Sequence, residues 1–447
     1  PAAQVREFFD PSGRALPEPY LLPGLWDVAG RIGQAIESGE RVAFFGDYDA
    51  DGVTSAAIVT IALRAASRGA LPTITALPSR EAGYGMNRAA LEEFAQAGAT
   101  LLIAADCGSS DHEHVAIARS LGMDVVILDH HEMHGPGPDG AIVASARLEE
   151  GNLYRHLPAA GLCLLLATAL AREGFDVGDG PGNDPVSLVD LAMVGIIADV
   201  CDLRDPVNRA LVRDGLRQIR RAPRPGLRAL IEQMKIAPEK LNSRAIGMQL
   251  APAINAAGRQ DLAEPALQLL LSGEVDSNTH AAAVLGSLAW VRETRAKFKG
   301  DLLARLEADG DWRQRLVLVF EAEGCPHGLA GTLAGELVKD VGRPVIVLTP
   351  DGEAWRGSAR SVSDFDIGGA LQASSHLLLR NGGHRMAAGL QVHAGQVDAL
   401  RASMETIARE KGYVPDDGDG LEIHADLPAE RLTLETLRAI DRLRPFG

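Results

Sequence analysis

The stretch FFGDYDADGVTSAAI, residues 44–58, places Asp47, Asp49 and Asp51 at alternate positions directly behind an apolar run. That run, RVAFFG at 41–46, has the length and composition of a buried strand, and the segment after the aspartates, about 54–68, reads as a helix. Three like charges therefore sit in the loop that leads from a strand into a helix.

The same alternation continues outward. TLLIAAD (100–106), DVVILD (124–129), AIVAS (141–145) and the weaker TITAL (73–77) are further strand-length runs, with helical patterns near 87–97 and 111–121 between them. Strands and helices alternating in units of about 30 residues predict a parallel sheet covered by helices on both faces. Apolar helices are expected at 159–174 and 187–198. Beyond 204, Arg209, Arg213, Arg217, Arg220, Arg224 and Arg228 recur at spacings of three or four until Pro223 and Pro225 interrupt them. That spacing suits a solvated connector helix or a phosphate-facing stripe. A long helical pattern covers 276–308, and a second α/β pattern follows: strands at 315–322, 343–350 and 354–361, helices at 328–341 and 396–411, and a glycine-rich turn at 381–384. The domain boundary is expected between about 205 and 310.

At 447 residues the chain is long enough for two or three domains. Mean hydropathy is +0.01. No apolar run is long enough to cross a bilayer, and no charged and apolar leader precedes the first strand. Cys107, Cys163, Cys201 and Cys325 form no C-x-x-C pair and suit buried thiols in a reducing cytoplasm. The net charge of −16 argues against a nucleic-acid partner only if the basic residues do not cluster. The chain begins at Pro1 and ends in PFG, and reads as the interior of a longer one.

In open parallel sheets, ligands bind where strands run into helices at their carboxyl ends. Here AFFG leads into Asp47, Asp49 and Asp51, LLIAA into Asp106, VVIL into Asp129, His130 and His131, and LAMVGIIADV into Asp199. Carboxylates converging on one edge repel strongly unless a cation lies between them. Oxygen donors with one or two imidazoles favour Mn²⁺ or Mg²⁺ over Zn²⁺. The surplus of donors suits two ions with a bridging carboxylate, a common device for in-line attack at phosphorus. A calcium loop is the bland reading of D-x-D-x-D, but its distal glutamate is missing, Thr60 and Ile61 standing near that place.

GDYDADGVTS, ADCG, LDHHE and IIADVCDL, in that order, resemble the four motifs of the DHH phosphoesterase superfamily, and GGHRMAAG resembles the signature of its companion DHHA1 domain. NAAGR (255–259), RGSARS (356–361) and the final LRPFG resemble the RecJ single-stranded-DNA exonucleases within it. The resemblance implies two α/β domains joined by helices with a cleft between them: a DHH domain over 1–205, a helical connector over 206–310, a smaller DHHA1 substrate-binding domain over 311–415, and a segment 416–447 leading toward an OB-fold that is absent here. It implies that Asp49, Asp51, Asp106, His130 and Asp199 are metal ligands, that Asp106 bridges two ions, and that Asp47 joins them directly or through water. Phe45 stands where some members have a histidine ligand, so one ion is expected to be held by fewer protein groups. The resemblance makes His131 and Asp106 the expected catalytic pair, with His131 hydrogen-bonding a phosphate oxygen or orienting the attacking water, or else orienting His130. Arg80, Arg259, Ser358, Arg360, Gly382, Gly383 and His384 are the expected substrate contacts.

The implied activity is a Mn²⁺- or Mg²⁺-dependent 5′-to-3′ exonuclease of single-stranded DNA, releasing mononucleotides in recombination and repair. A cytoplasmic monomer is expected, off the membrane, with a single-strand-binding protein or a repair helicase as partner. Two other readings stand beside it: a phosphodiesterase of short oligonucleotides or cyclic dinucleotides, and a non-catalytic nucleic-acid-binding scaffold. With aromatic residues at 4 %, extensive base stacking is excluded, and tracking along the phosphates fits better.

Overall fold

The computed structural model describes residues 8, 18–78, 83, 85–133, 135–179, 184–221, 223–260, 262–415, 423 and 426–445. The chain divides into two compact units, Pro1–Leu288 with Pro428–Gly447, and Ala289–Leu427.

In the first unit the expected strands form. Helix α1 (Leu25–Ser38) precedes β1 (Val42–Gly46), α2 (Ala50–Ala66), β2 (Thr73–Ala76), α3 (Arg88–Gln96), β3 (Leu101–Ala105), α4 (His112–Ser120), β4 (Asp124–Leu128) and β5 (Ala141–Ala144). The sheet is parallel throughout, in the order β2-β1-β3-β4-β5. All five residues of β1 and of β3 are buried, as continuous apolar runs require when helices cover both faces. Phe45 packs with Leu91, Phe94, Leu102 and Ile127 on one side of that sheet.

α2 is apolar all round, and its residues 50–63 are buried, because α5 (Ala159–Arg172) and α6 (Val189–Ala198) pack against it. Then come α7 (Pro206–Arg221), α8 (Pro225–Gln233), a π-turn at Ile246–Leu250, α9 (Ala251–Gln260), α10 (Glu264–Leu271) and α11 (Ser277–Ala308), the last crossing the division at 288. Two arginines of the 209–228 series are structural and do not face solvent. Arg209 is 2 % exposed and donates to the carbonyls of Phe8, Leu203 and Leu443–Pro445. Arg224 is buried against Asp190 and Asp179.

The second unit contains β6 (Leu318–Glu321), α12 (His327–Val341), β7 (Val345–Asp351), β8 (Ala354–Arg360), α13 (Ile367–Ala373), β9 (Leu378–His384), β10 (Ala387–His393) and α14 (Val397–Glu410); α15 (Leu434–Asp441) returns to the first. Its sheet runs β6-β7-β8-β10-β9, parallel only between β6 and β7. Ile346, Leu348, Ala359, Leu390 and Val392 form the core with Phe365, Leu400 and Met404. At the β6 edge, Arg401 donates to the Val319 carbonyl and Arg305 to that of Glu321. The other edge is β9, where one reading is corrected. Residues 381–384 are the end of a strand and not a turn; the chain reverses at Arg385 and Met386. Gly383 pairs with Ala388 at φ 143°, and a Cβ there would lie 2.4 Å from the Ala388 Cα. Glycine is used there for close approach within a hairpin.

Candidate metal centre

The loop after β1 is held from within and from outside. Asp49 caps α2, its Oδ1 accepting from the N–H groups of Asp51 (2.9 Å) and Gly52 (3.1 Å). A Cβ at Gly52 would stand 2.3 Å from the Asp47 carbonyl oxygen, so the tight turn excludes any side chain there. From α9, the Asn255 Oδ1 accepts the Ala50 N–H at 2.7 Å, and Gly258 lies against Tyr48, where a Cβ would be 2.4 Å from the carbonyl oxygen. The NAAG portion of NAAGR thus braces the aspartate loop.

Asp51 occupies the first turn of α2, yet its carboxylate serves another helix. Oδ2 accepts from the Ala159 N–H at 2.8 Å and Oδ1 from Ala160 at 3.0 Å, at the start of α5. The residue preceding α5 is Pro158, which has no side-chain cap to offer, so Asp51 satisfies those donors. Gly195 of α6 leaves room for it, since a Cβ there would lie 2.6 Å from Asp51 Oδ1 and 2.5 Å from the Ala160 Cβ.

β3 runs directly into Asp106, which adopts a left-handed conformation at φ 63°. Two groups of donors meet there. Asp47, Asp49 and Asp106 each offer an oxygen within 4.8 Å of the others, and Asp106, His130 and His131 do the same. Asp106 belongs to both. His130 Nε2 lies 3.2 Å from Asp106 Oδ1 and 3.8 Å from Asp51 Oδ2, while its Nδ1 is 4.0 Å from Asp199 Oδ2. The six residues expected as ligands therefore gather at the carboxyl edge of one sheet and the end of α6.

Asp51 and Asp106 are each 2 % exposed. Burial, and then neighbouring carboxylates, push both well above the usual carboxylate range. Burial likewise raises Asp199 and lowers His130, favouring the neutral imidazole that a metal ligand requires. A divalent cation removes this conflict, and a donor set of carboxylate oxygens with one or two imidazoles fits Mn²⁺ or Mg²⁺. Phe45 is fully buried in the sheet core and offers nothing to an ion.

Asp129 has a role that its position at a strand end did not disclose. It is 1 % exposed; Oδ1 accepts the His131 backbone N–H at 3.1 Å and lies 2.8 Å from His131 Nδ1, while Oδ2 accepts from Ser109 N–H at 3.0 Å. Burial alone would raise Asp129, but the bonds to His131 and Ser109 outweigh it and hold the carboxyl far below its usual range. Burial would lower His131, but the Asp129 bond and charge outweigh it and raise it. Asp129 orients the imidazole. Asn255 is the other residue missed; a helix seen in sequence gives no sign of which distant loop it caps.

The expected substrate contacts lie on both units. Arg259 lies in the last turn of α9 in the first. In the second, Arg360 Nη1 donates to Ser358 Oγ at 3.1 Å, so both project from one face of β8, as alternate positions must. α12 packs over them at Gly331, where a Cβ would be 2.9 Å from Arg360 Nη2 and 3.0 Å from Ser358 Oγ. Gly382, Gly383 and His384 are exposed on β9. Arg80 lies outside the described residues.

The DHH family, N-terminal domain, matches residues 41–196, and the DHHA1 domain matches residues 314–410. Three relatives narrow this class. The single-stranded-DNA-specific exonuclease RecJ of Bacillus subtilis is 32 % identical over all of this chain, which spans 55 % of that protein. That of Dickeya dadantii is 31 % identical over 97 % of this chain and 78 % of its own length. The crystal structure of Thermus thermophilus RecJ in complex with Mn²⁺ superposes with a TM-score of 0.81 at 28 % identity, covering 98 % of this chain and 62 % of that one. The chain belongs to the RecJ family of DHH/DHHA1 proteins.

Proposed function

We propose that the chain is a Mn²⁺- or Mg²⁺-dependent exonuclease that enters single-stranded DNA at the 5′ end and releases 5′-mononucleotides, in recombination and repair. The observation that carries this reading is the membership of Asp106 in both donor groups, the arrangement a carboxylate bridging two ions requires. The kinship with RecJ proteins supports the substrate class.

On this reading Asp47, Asp49, Asp51, Asp106, His130 and Asp199 hold two cations. When bound, such a pair supplies Lewis acidity and an activated water for in-line attack at phosphorus. His131, set by Asp129, donates a hydrogen bond to an oxygen of the scissile phosphate. Ser358 and Arg360 take the 5′-terminal phosphate, whose extra charge and oxygen a guanidinium fork distinguishes from an internal diester. Arg259 and the Gly382, Gly383 and His384 edge contact further phosphates, and Arg80 is a further candidate. The segment 206–310 serves as the connector between the catalytic and strand-holding parts. The protein works as a cytoplasmic monomer, with a single-strand-binding protein or a repair helicase as companion; no helix among the described residues is long and apolar enough to cross a membrane.

A time course on 5′-labelled and 3′-labelled single strands, with and without Mn²⁺, tests the reading. Immediate release of labelled mononucleotide from the 5′-labelled strand alone, dependent on Mn²⁺, is expected. Release first from the 3′ end, or cleavage confined to dinucleotides, would overturn it.

A further inference from the structure

Helix α6 ends in a Schellman turn built from an unusual residue. Asp199 is its C-cap, the Val200 N–H reaches the Ile197 carbonyl at 3.2 Å and the Cys201 N–H that of Ile196 at 3.2 Å. The position after the cap takes a left-handed conformation, which is why glycine commonly fills it. Here it is Val200 at φ 55°. A β-branched side chain is among the least tolerant of that conformation.

Packing does not account for the choice, because Val200 is 87 % exposed. An apolar, strained side chain is therefore held in solvent one residue from the metal ligand Asp199. Strain of this kind collects where a site needs a side chain in that place. A second exposed apolar side chain stands at the same end of α6. The π-turn at Ile246–Leu250 packs there through Gly247, where a Cβ would be 3.2 Å from Ile197 Cγ2, and its next residue, Met248, is 66 % exposed. π-turns often mark functional positions.

We infer that Val200, directly after Asp199, together with Met248 of the π-turn that packs against the same end of α6, is a substrate-contact residue that receives the sugar and base of the nucleotide whose phosphate lies at the ions. This rests on the phosphodiesterase reading above. An apolar contact of this sort reads no sequence, since every nucleoside offers an apolar face, and it positions the nucleotide relative to the carboxylates while supplying no chemistry.

The test is Val200→Gly, with Met248→Ser as the second variant. Glycine relieves the strain, so Val200→Gly should melt about 2 °C higher than wild type. Affinity for Mn²⁺ should be unchanged. Its affinity for a deoxynucleoside 5′-monophosphate, measured calorimetrically with Mn²⁺ present, should fall about threefold to tenfold, as loss of an apolar contact predicts. KM for single-stranded DNA should rise by the same factor with kcat little altered, and a strand abasic at its terminal nucleotide, which keeps only the sugar contact, should show a smaller difference between variant and wild type. Met248→Ser should weaken the monophosphate in the same sense with no gain in melting temperature. Unchanged monophosphate affinity in Val200→Gly, or a variant less stable than wild type, would overturn the inference. Should the wild type bind the monophosphate yet leave single strands uncut, the exonuclease reading fails while the contact stands.

Discussion

Asp106 carries two burdens: a left-handed backbone and a buried charge crowded by other carboxylates. Asparagine keeps the shape, tolerates that backbone and removes the charge, so it separates chemistry from folding where alanine would add strain. On the proposed function, Asp106→Asn should lose at least about a thousandfold in hydrolysis, because the proposed anionic bridge would be gone. The metal-free variant should melt higher than the metal-free wild type, as calorimetry can show. The pH dependence follows from the same charges. Asp51, Asp106 and Asp199 have folded-state values above their unfolded ones. Between those values the folded chain binds more protons, so lowering the pH toward the ordinary carboxylate range should stabilise the metal-free protein through these three groups, with His131, whose value is raised, adding to the trend and His130, whose value is lowered, opposing it. Mn²⁺ should reverse that trend by competing for the same oxygens. At Arg360, replacement by alanine should reduce the preference for 5′-phosphorylated over 5′-hydroxyl strands by a factor equivalent to about 1.5–3 kcal/mol. Cleavage of both strand types by both proteins measures it, and an unchanged preference would place the end-reading group elsewhere.

At the scale of elements, Gly195 shows helix propensity overruled by packing. Glycine to alanine inside a helix ordinarily stabilises by roughly 0.8–1 kcal/mol. Gly286 in α11, with open space around it, should behave that way. Gly195→Ala should instead destabilise by about 1–3 kcal/mol and depress activity, since the new methyl meets Asp51 and Ala160. Denaturant unfolding of the two variants makes the comparison. Elements also explain what the sequence could and could not disclose. The strands were legible because continuous apolar runs have few other uses, and the gathering of the expected ligands at one edge because each follows such a run. Asp129 and Asn255 were not, because holding His131 or capping α2 depends on side-chain direction and on pairings up to 205 residues apart. The arginine spacing established a shared helix face without saying whether that face looked outward; Arg209 and Arg224 turned inward to carbonyls and to aspartates. Gly382 and Gly383 read as a turn because paired glycines usually are one, whereas here both end a strand and Gly383 allows close approach of β10.

For the whole molecule, a net charge of −16 and a polyanionic substrate are compatible only if charge is unevenly spread. Five of the 60 acidic residues line the proposed metal centre, where two divalent cations would offset four of their charges. Binding of single strands should therefore weaken at least about tenfold between 50 and 200 mM salt, through release of counterions from the phosphates. Fluorescence anisotropy on strands of differing sequence should give parallel lines, and a flat response would contradict phosphate tracking.

The second sheet is stopped on one side and open on the other. At β6 arginine side chains occupy the outward carbonyls of Val319 and Glu321, so an incoming peptide finds its acceptors taken. At β9 the edge ends in exposed glycines, with Arg380, His384 and Arg385 in solvent along it. A peptide strand needs a regular row of alternating donors and acceptors, which the register shift of β9 opposite Gln391 and Val392 interrupts. A phosphate chain needs only donors and positive charge. If the β9 edge takes the strand as proposed, the two edges of this sheet would sort polymers by backbone chemistry: in a crowded cell, unfolded polypeptide would meet a poor template for cross-β growth there, while a polyphosphate backbone would meet a place to land.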